Sequence, residues 1–439
     1  MNKYFGSASL LLALVMVLSV LAAQCPPPAT PTTAPEPTKP AAQPTKAPEA
    51  TKAPEPTKAP EPTKPVAKIK LQLLGWSSSD AENEMLTQII KDFNAAQDKY
   101  VATFNPVTKY DETLQTSLAG GAPPDLFYLD AGRFADFQKN KALKAVKIQD
   151  PDDFYPALRA GFTADGVFYA PPKDFSTLAL IYNKKMLADA KVAVPTTWDE
   201  LAAAAKKLTD KGKGVYGLSL SPGTDRWMAF LYQAGGHIIN NQGKMDINTP
   251  EAKKALEFYT NLYLDGYAVK PGQVDTGWNG EAFGKEKVAM VVEGNWIVPY
   301  LKRDFPKVEF GIAELPAGPA GKGTLAFTVA YAVAANAKNP DGSETLLNYL
   351  TGKEGMQKWT DLGLAMPTRK SLRQHWVEKF PELGVFLAGA EYAHVWQFPA
   401  GFQPVLDTLN SGIEEIVGGQ KTAAQVLAAT QKAGEQVLK

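Results

Sequence analysis

Eight tryptophans stand in this chain, and several fall outside any periodic apolar run. Trp227 comes after the loop Ser221-Pro-Gly-Thr224, beside Asp225 and Arg226. Trp278 sits between Gly277 and Asn279, and Trp396 lies in His394-Val-Trp-Gln-Phe-Pro399. Loops over a rigid scaffold are where binding residues concentrate. A flat aromatic face covers the C–H face of a pyranose, and a carboxylate accepts hydrogen bonds from neighbouring hydroxyls. Together these residue types suit the capture of a polyhydroxylated solute. Asp130 is a candidate carboxylate, because it ends the apolar run Leu126-Phe-Tyr-Leu-Asp130. It also suits the N-cap of a helix starting at Ala131. Trp198 lies inside a capping box and Trp359 on a helix face, so both read as structural.

The same residues do not spell out an enzyme. A glycoside hydrolase needs two carboxylates set across the scissile bond, and no pairing stands out. No P-loop, nucleophile elbow or Gly-rich dinucleotide turn occurs. His237, His375 and His394 are scattered, with no ligand-like spacing, so neither a metal nor another cofactor is expected. Lys and Arg number 46, as do Asp and Glu, which gives no electrostatic case for nucleic acid or an anionic membrane face.

These candidates must be positioned by an α/β scaffold. Val66–Leu74 alternates as a half-buried strand, followed by a loop at 75–80. Ser79-x-x-Glu82 opens a helix with Leu86, Ile89, Ile90 and Phe93 on one face. Strands follow at 100–104 and 125–130, a doubly wound opening. A second unit starts near Thr177, with strands at 178–182, 288–292 and 308–313. Its helices open at the capping box Thr197-x-x-Glu200 and at Thr249-Pro250. Leu325–Ala335 is a long apolar run fit to cross between units, and the C-terminal third reads as helical. Residues 66–439 exceed what one hydrophobic core usually serves, so two lobes are expected.

The first 65 residues say where that scaffold works. Lys3 and the apolar run Leu10–Val20 read as a signal peptide over 1–24, too short to span a bilayer. Residues 25–65 form a spacer rich in Pro, Thr and Lys, which favours extended polyproline-like conformers. Forty such residues at about 3.1 Å each reach on the order of 100 Å. The chain has one cysteine, Cys25, so an internal disulfide is excluded.

Leu21-Ala-Ala-Gln-Cys25 resembles a lipobox, with Gln24 where Gly or Ala is usual. Further on, four stretches together resemble the extracellular solute-binding proteins of ABC importers, of the maltose-, trehalose- and multiple-sugar-binding type. They are Pro124–Asp130; Gly166–Asp174 running on to Leu180–Lys185 and Pro195–Leu201; Phe283–Trp296; and Ala335–Pro340 with Leu347–Thr351 and Met366–Arg369. The resemblance implies a two-lobed type II periplasmic-binding-protein-like fold, each lobe a doubly wound sheet flanked by helices. The N-terminal lobe would take 66–173 and 331–375, and the C-terminal lobe 177–324 and 376–439. Hinge crossings would fall near 171–177, 324–330 and 372–378. It further implies a sugar or oligosaccharide held in the cleft, delivery to ABC permease subunits, a monomer, and an exported chain anchored through lipidated Cys25. By position it adds Trp296, Trp76, Asp174, Glu293, Gly294, Tyr331 and Arg369 to the ligand-binding candidates. Relatives on the same fold bind glycerol phosphates or polyamines, which stays open as an alternative; an exported glycoside hydrolase is the more distant one.

Overall fold

The computed structural model describes residues 67–77 and 79–438. The signal peptide and spacer expected over 1–65, with Cys25, lie outside the described residues. Among the described residues twelve strands occur in chain order: β1 (Ile69–Trp76), β2 (Tyr100–Val107), β3 (Leu126–Asp130), β4 (Thr163–Ala164), β5 (Val167–Phe168), β6 (Pro172–Asn183), β7 (Tyr216–Ser219), β8 (Ala268–Val269), β9 (Val288–Gly294), β10 (Phe310–Ala313), β11 (Thr324–Ala332) and β12 (Ala393–Val395). Strands β4 and β5 make a separate hairpin, and the other ten form one sheet.

The sheet runs β2-β1-β3-β11-β6-β9-β7-β8. At one end β2, β1 and β3 are parallel, and at the other β9, β7 and β8 are parallel. Between these trios lie two long strands, β11 and β6, antiparallel to each other and to their outer neighbours. Each belongs to both halves. Residues Pro172–Thr177 of β6 pair with β11, and Leu178–Tyr182 pair with β9. β10 pairs along β6, and β12 along the start of β11.

Hydrophobic cores form on both sides of this central pair. One gathers apolar residues of 71–170 with those of 330–372, including Leu73, Phe127 and Leu346. A second joins 178–292 to 398–427 through Trp227, Tyr259 and Ile413. A third packs Phe283, Ile297 and Leu301 against Trp376 and Phe386. Fully buried parallel strands such as β9 read as near-continuous apolar runs, as this chain has at 288–292.

Local signals set the helix starts. Ser79 and Glu82 cap the helix Asp80–Ala96 reciprocally, and Thr197 and Glu200 do the same for Trp198–Leu208. Thr249 accepts from the Ala252 N–H, with Pro250 at the first helical position. Two sequence expectations shift. Gly75 and Trp76 end β1 instead of opening a loop, because β2 runs on far enough to pair Trp76 with Val107. The strand expected at 178–182 begins six residues earlier, where β11 supplies a partner for the polar segment around Lys173 and Asp174.

Candidate functional site

Sites in such sheets lie at the carboxyl ends of the strands. Trp76 ends β1 and Asp130 ends β3. Trp76 meets Tyr110 and Tyr128 edge to face, with ring centroids 5.3 and 4.9 Å away. A cavity of about 320 Å³ opens beside them, bordered also by Asp111, Asp130 and Arg133. Arg133 is ion-paired with Asp111. Asp130 does cap the helix Ala131–Lys139: its Oδ1 accepts from the Gly132 N–H at 2.7 Å. Its Oδ2 has no hydrogen-bond partner among the described residues. Burial pushes the Asp130 carboxyl above the usual carboxylate range, only partly offset by the Gly132 N–H and Arg133. The two readings of Asp130, cap and open acceptor, hold together in one side chain.

Across the central strands, β9 ends in Glu293 and Gly294. Glu293 is 2% exposed and accepts three hydrogen bonds. Arg226 Nη2 and Trp296 Nε1 both donate to Oε2 at 2.9 Å, and Asn279 Nδ2 donates to Oε1 at 2.8 Å. Arg226 also donates to Asp225 at 2.7 Å. Burial opposes the charge on Arg226, but Glu293 and Asp225 outweigh it and the net shift is upward. The indole of Trp296 lies over Gly294, where a Cβ would come within 2.1 Å of the ring. Glycine there lets the ring lie flat, and Glu293 fixes its edge. The ring is further held by the Arg226 guanidinium, 5.7 Å from its centroid, and stays partly exposed.

Between the two ends, Phe327 on β11 stands 5.9 Å from Trp296 and 6.0 Å from Trp396 by ring centroid. Trp396 follows β12 and is tied by its N–H to the Ala326 carbonyl at 2.9 Å. All three rings are partly exposed. They form an aromatic cluster in which Trp296 and Phe327 meet edge to face at 70° and Phe327 and Trp396 are tilted by 37°.

The family model for bacterial extracellular solute-binding proteins matches residues 88–384. The chain belongs to that family. Among relatives of this solute-binding protein, a binding protein of Brucella abortus is 25% identical over 368 residues, covering 80% of this chain and 89% of the relative. A multiple sugar-binding protein of Streptococcus mutans is 23% identical over 322 residues, covering 66% of this chain and 73% of its own length. Among solved structures, an ABC substrate-binding protein of Listeria monocytogenes in complex with cycloalternan superposes with a TM-score of 0.76. It is 23% identical and covers 85% of this chain and 99% of that one. The fold is therefore the type II periplasmic-binding-protein-like arrangement that the sequence stretches resemble.

The structure of the solute-binding protein brings Trp76, Asp130, Trp296 and Trp396, with Glu293 and Gly294 beneath Trp296, to the ends and centre of the sheet. It does not bring the other candidates to an open surface equally. Trp227 is 0% exposed, in a helix (Thr224–Gln233) whose side chains are nearly all buried. Arg369 is 1% exposed and braces the backbone through the carbonyls of Thr351, Gln149 and Asp150. Tyr331 is buried against Tyr128. Asp174 is buried, ion-paired with Lys173, and accepts from Trp359 Nε1 at 2.8 Å. Trp278 is partly exposed, edge-on to Tyr300, and adjoins the network only through its neighbour Asn279. Trp198 and Trp359 are structural, as their sequence context indicates: Trp198 donates to Gln233 and stacks on Phe258. Among the described residues no cluster of three or more His, Cys, Asp or Glu could hold a metal ion. No described helix is long and apolar enough to cross a membrane.

Phe327 escaped the sequence reading. It sits in an apolar run whose composition points inward at every position. The available signal was strand alternation: Phe327 and Val329 share the one face of β11 that is not fully buried.

Proposed function

We propose that the chain is the substrate-binding component of an ABC importer, capturing a neutral sugar or oligosaccharide and delivering it to the permease. The observation that carries the sugar reading is the cluster of partly exposed aromatic rings at Trp296, Phe327 and Trp396, together with the half-open Asp130 carboxylate beside Trp76. Aromatic faces suit pyranose rings, and the unpartnered oxygen of Asp130 suits their hydroxyls. The relatives agree: one is a multiple sugar-binding protein and another is bound to cycloalternan.

A phosphate ester suits this arrangement less well. It needs free guanidinium or ammonium groups, yet Arg133 pairs with Asp111, Arg226 with Glu293 and Asp225, and Lys173 with Asp174. The halves carried by β1–β3 and by β7–β9 act as lobes that close over the ligand, with β6 and β11 as hinge strands. Ligand-contacting roles go to Trp76, Asp130, Trp296 and Trp396, supported by Glu293 and Gly294. The receptor works as an exported monomer held at the membrane by lipidated Cys25, and it performs no catalysis.

Thermal melting of the full chain against mono- and oligosaccharides, polyamines, amino acids and glycerol phosphate tests this reading. A several-degree rise with one sugar class and none with the charged compounds is expected. A rise only with a charged compound overturns the sugar assignment and leaves the family intact.

A further inference from the structure

We infer that the buried pair Lys173–Asp174 is a hinge pin: it fastens the segments that cross between the halves on the β1–β3 side, and so confines bending to the Ser176–Phe327 pair just beyond it. The inference rests on the closure proposed above and names the positioning residues that set where the molecule bends.

The pair stands where charge is costly to place. Lys173 is 7% exposed and Asp174 9%, and the two are ion-paired. The Lys173 ammonium lies 4.2 Å from the ring centroid of Trp359 and 5.0 Å from that of Tyr128. Both rings belong to the core that joins 71–170 to 330–372. A buried ion pair adds little net stability over apolar residues of the same volume, and its best-attested use is to fix register. The other contacts of this pair show what it fixes.

Three segments are tied at Asp174 and Phe175. Trp359 Nε1 donates to the Asp174 carboxylate at 2.8 Å, which holds the helix Lys353–Thr360. Thr328 Oγ1 of β11 donates to the Asp174 carbonyl at 2.7 Å. The Phe175 N–H donates to the Met366 carbonyl at 3.2 Å, and the Met366 N–H returns to the Phe175 carbonyl at 3.0 Å. Met366 lies on the chain that runs from Trp359 in the first core to Trp376 in the third. So β6, β11 and that chain, each shared by both halves, are gripped at one level.

The ties of the other half start almost at once. Thr177 Oγ1 donates to the Phe386 carbonyl at 2.6 Å, and Leu178 pairs with Gly294 of β9. Thr324 Oγ1 donates to the Leu178 carbonyl at 2.9 Å, and Asn295 Nδ2 to the Leu364 carbonyl at 2.7 Å. Between the two sets of ties stand Ser176 on β6, residues 325–327 on β11 and Ala365 on the third segment. Ser176 and Phe327 are register partners, and both are only partly buried in strands that are otherwise largely closed. A bend at this pair leaves both sets of ties intact, as hinge closure requires. It puts the third crossing near 365, ahead of the 372–378 that the family resemblance implies.

The test is hydrogen exchange, read by mass spectrometry on the full unliganded chain. Lys173→Met with Asp174→Asn removes both charges together and keeps an acceptor for Trp359. Exchange in 172–177, 325–328 and 364–366 should quicken by about tenfold, while the rest of both halves stays within about twofold. Thr197→Ala, which weakens a helix cap outside these contacts, should leave the three segments unchanged and so separates a pin from a general loss of stability. If the double variant does not fold, Trp359→Phe carries the test. It keeps a ring beside Lys173, loses the donor to Asp174, and should quicken 172–177 and 364–366 by about threefold. Unchanged exchange in these segments, or a rise spread evenly over the whole chain, overturns the pin. No sugar enters the measurement, so that failure leaves the sugar reading standing. A radius of gyration unchanged by a bound sugar, in contrast, overturns the closure on which the pin rests.

Discussion

The residues that matter most are those whose side chains serve two partners. Trp296 uses its indole N–H on Glu293 and packs against Gly294, and the proposed function gives its exposed part to a ligand. Trp296→Ala should weaken sugar binding by on the order of 2 kcal/mol, about thirtyfold, as for anchoring aromatics in other interfaces. Calorimetry reads that loss, and the unliganded melting temperature should stay nearly unchanged because the ring is partly exposed. Asp130 caps a helix with one oxygen and presents the other to the pocket. Burial raises its pKa in the folded chain, so folding favours its protonated form. The stability it contributes is therefore fully present below the unfolded value of about 3.9 and is lost as pH rises through the higher folded value. Asp130→Asn keeps a good cap and should leave the unliganded protein at least as stable at pH 7. Ligand affinity should run the other way. It should fall as acid protonates the acceptor, at a higher pH than an ordinary carboxylate would require, and in Asp130→Asn it should be weaker at pH 7 and flat with pH.

At the scale of elements, helix starts were the most legible feature. Ser79-x-x-Glu82 and Thr197-x-x-Glu200 are local hydrogen-bond patterns, and both form as their spacing implies. Thr197→Ala should cost about 1 kcal/mol in urea unfolding with no change in sugar affinity, since the cap lies outside the cleft residues. Strand ends were less legible, because a strand continues wherever a partner does. The pairing of Trp76 with Val107 and of Pro172–Thr177 with β11 are long-range facts. The same reason explains the site. Trp396 was a candidate through its loop context and Trp296 through its place in a stretch resembling the family, and both are partly exposed. Trp227 was misplaced because its helix follows a Pro-Gly loop yet is buried almost all round. Phe327 was hidden because an apolar residue in an apolar run carries no sign of which face it occupies. Arg369 illustrates the reverse: a charged residue in a family-like motif whose donors go to backbone carbonyls.

At the scale of the whole molecule, the two halves meet through β6, β11 and the segment around Trp396. That segment reaches both ways. Its Phe398 and Phe402 pack in the core of residues 178–292. Gln397 Nε2 donates to the Gly161 carbonyl at 2.8 Å, and the Gly401 N–H to Asp136 Oδ1 at 2.9 Å, both beside the other core. A ligand that touched Asp130 in one half and Trp296 in the other would draw on both, so its binding energy would favour whichever arrangement brings them together. At a hundredfold excess over Kd it should add about 2.7 kcal/mol of stability. For a folded part of this size that is a rise of about 3–4 °C in melting temperature. A ligand held by one half alone gives the same stabilisation with no change in shape. Small-angle scattering on the same samples therefore separates the cases. A sugar that spans both halves should raise the melting temperature and lower the radius of gyration together, and a rise with an unchanged radius would place the ligand on one half and refute closure.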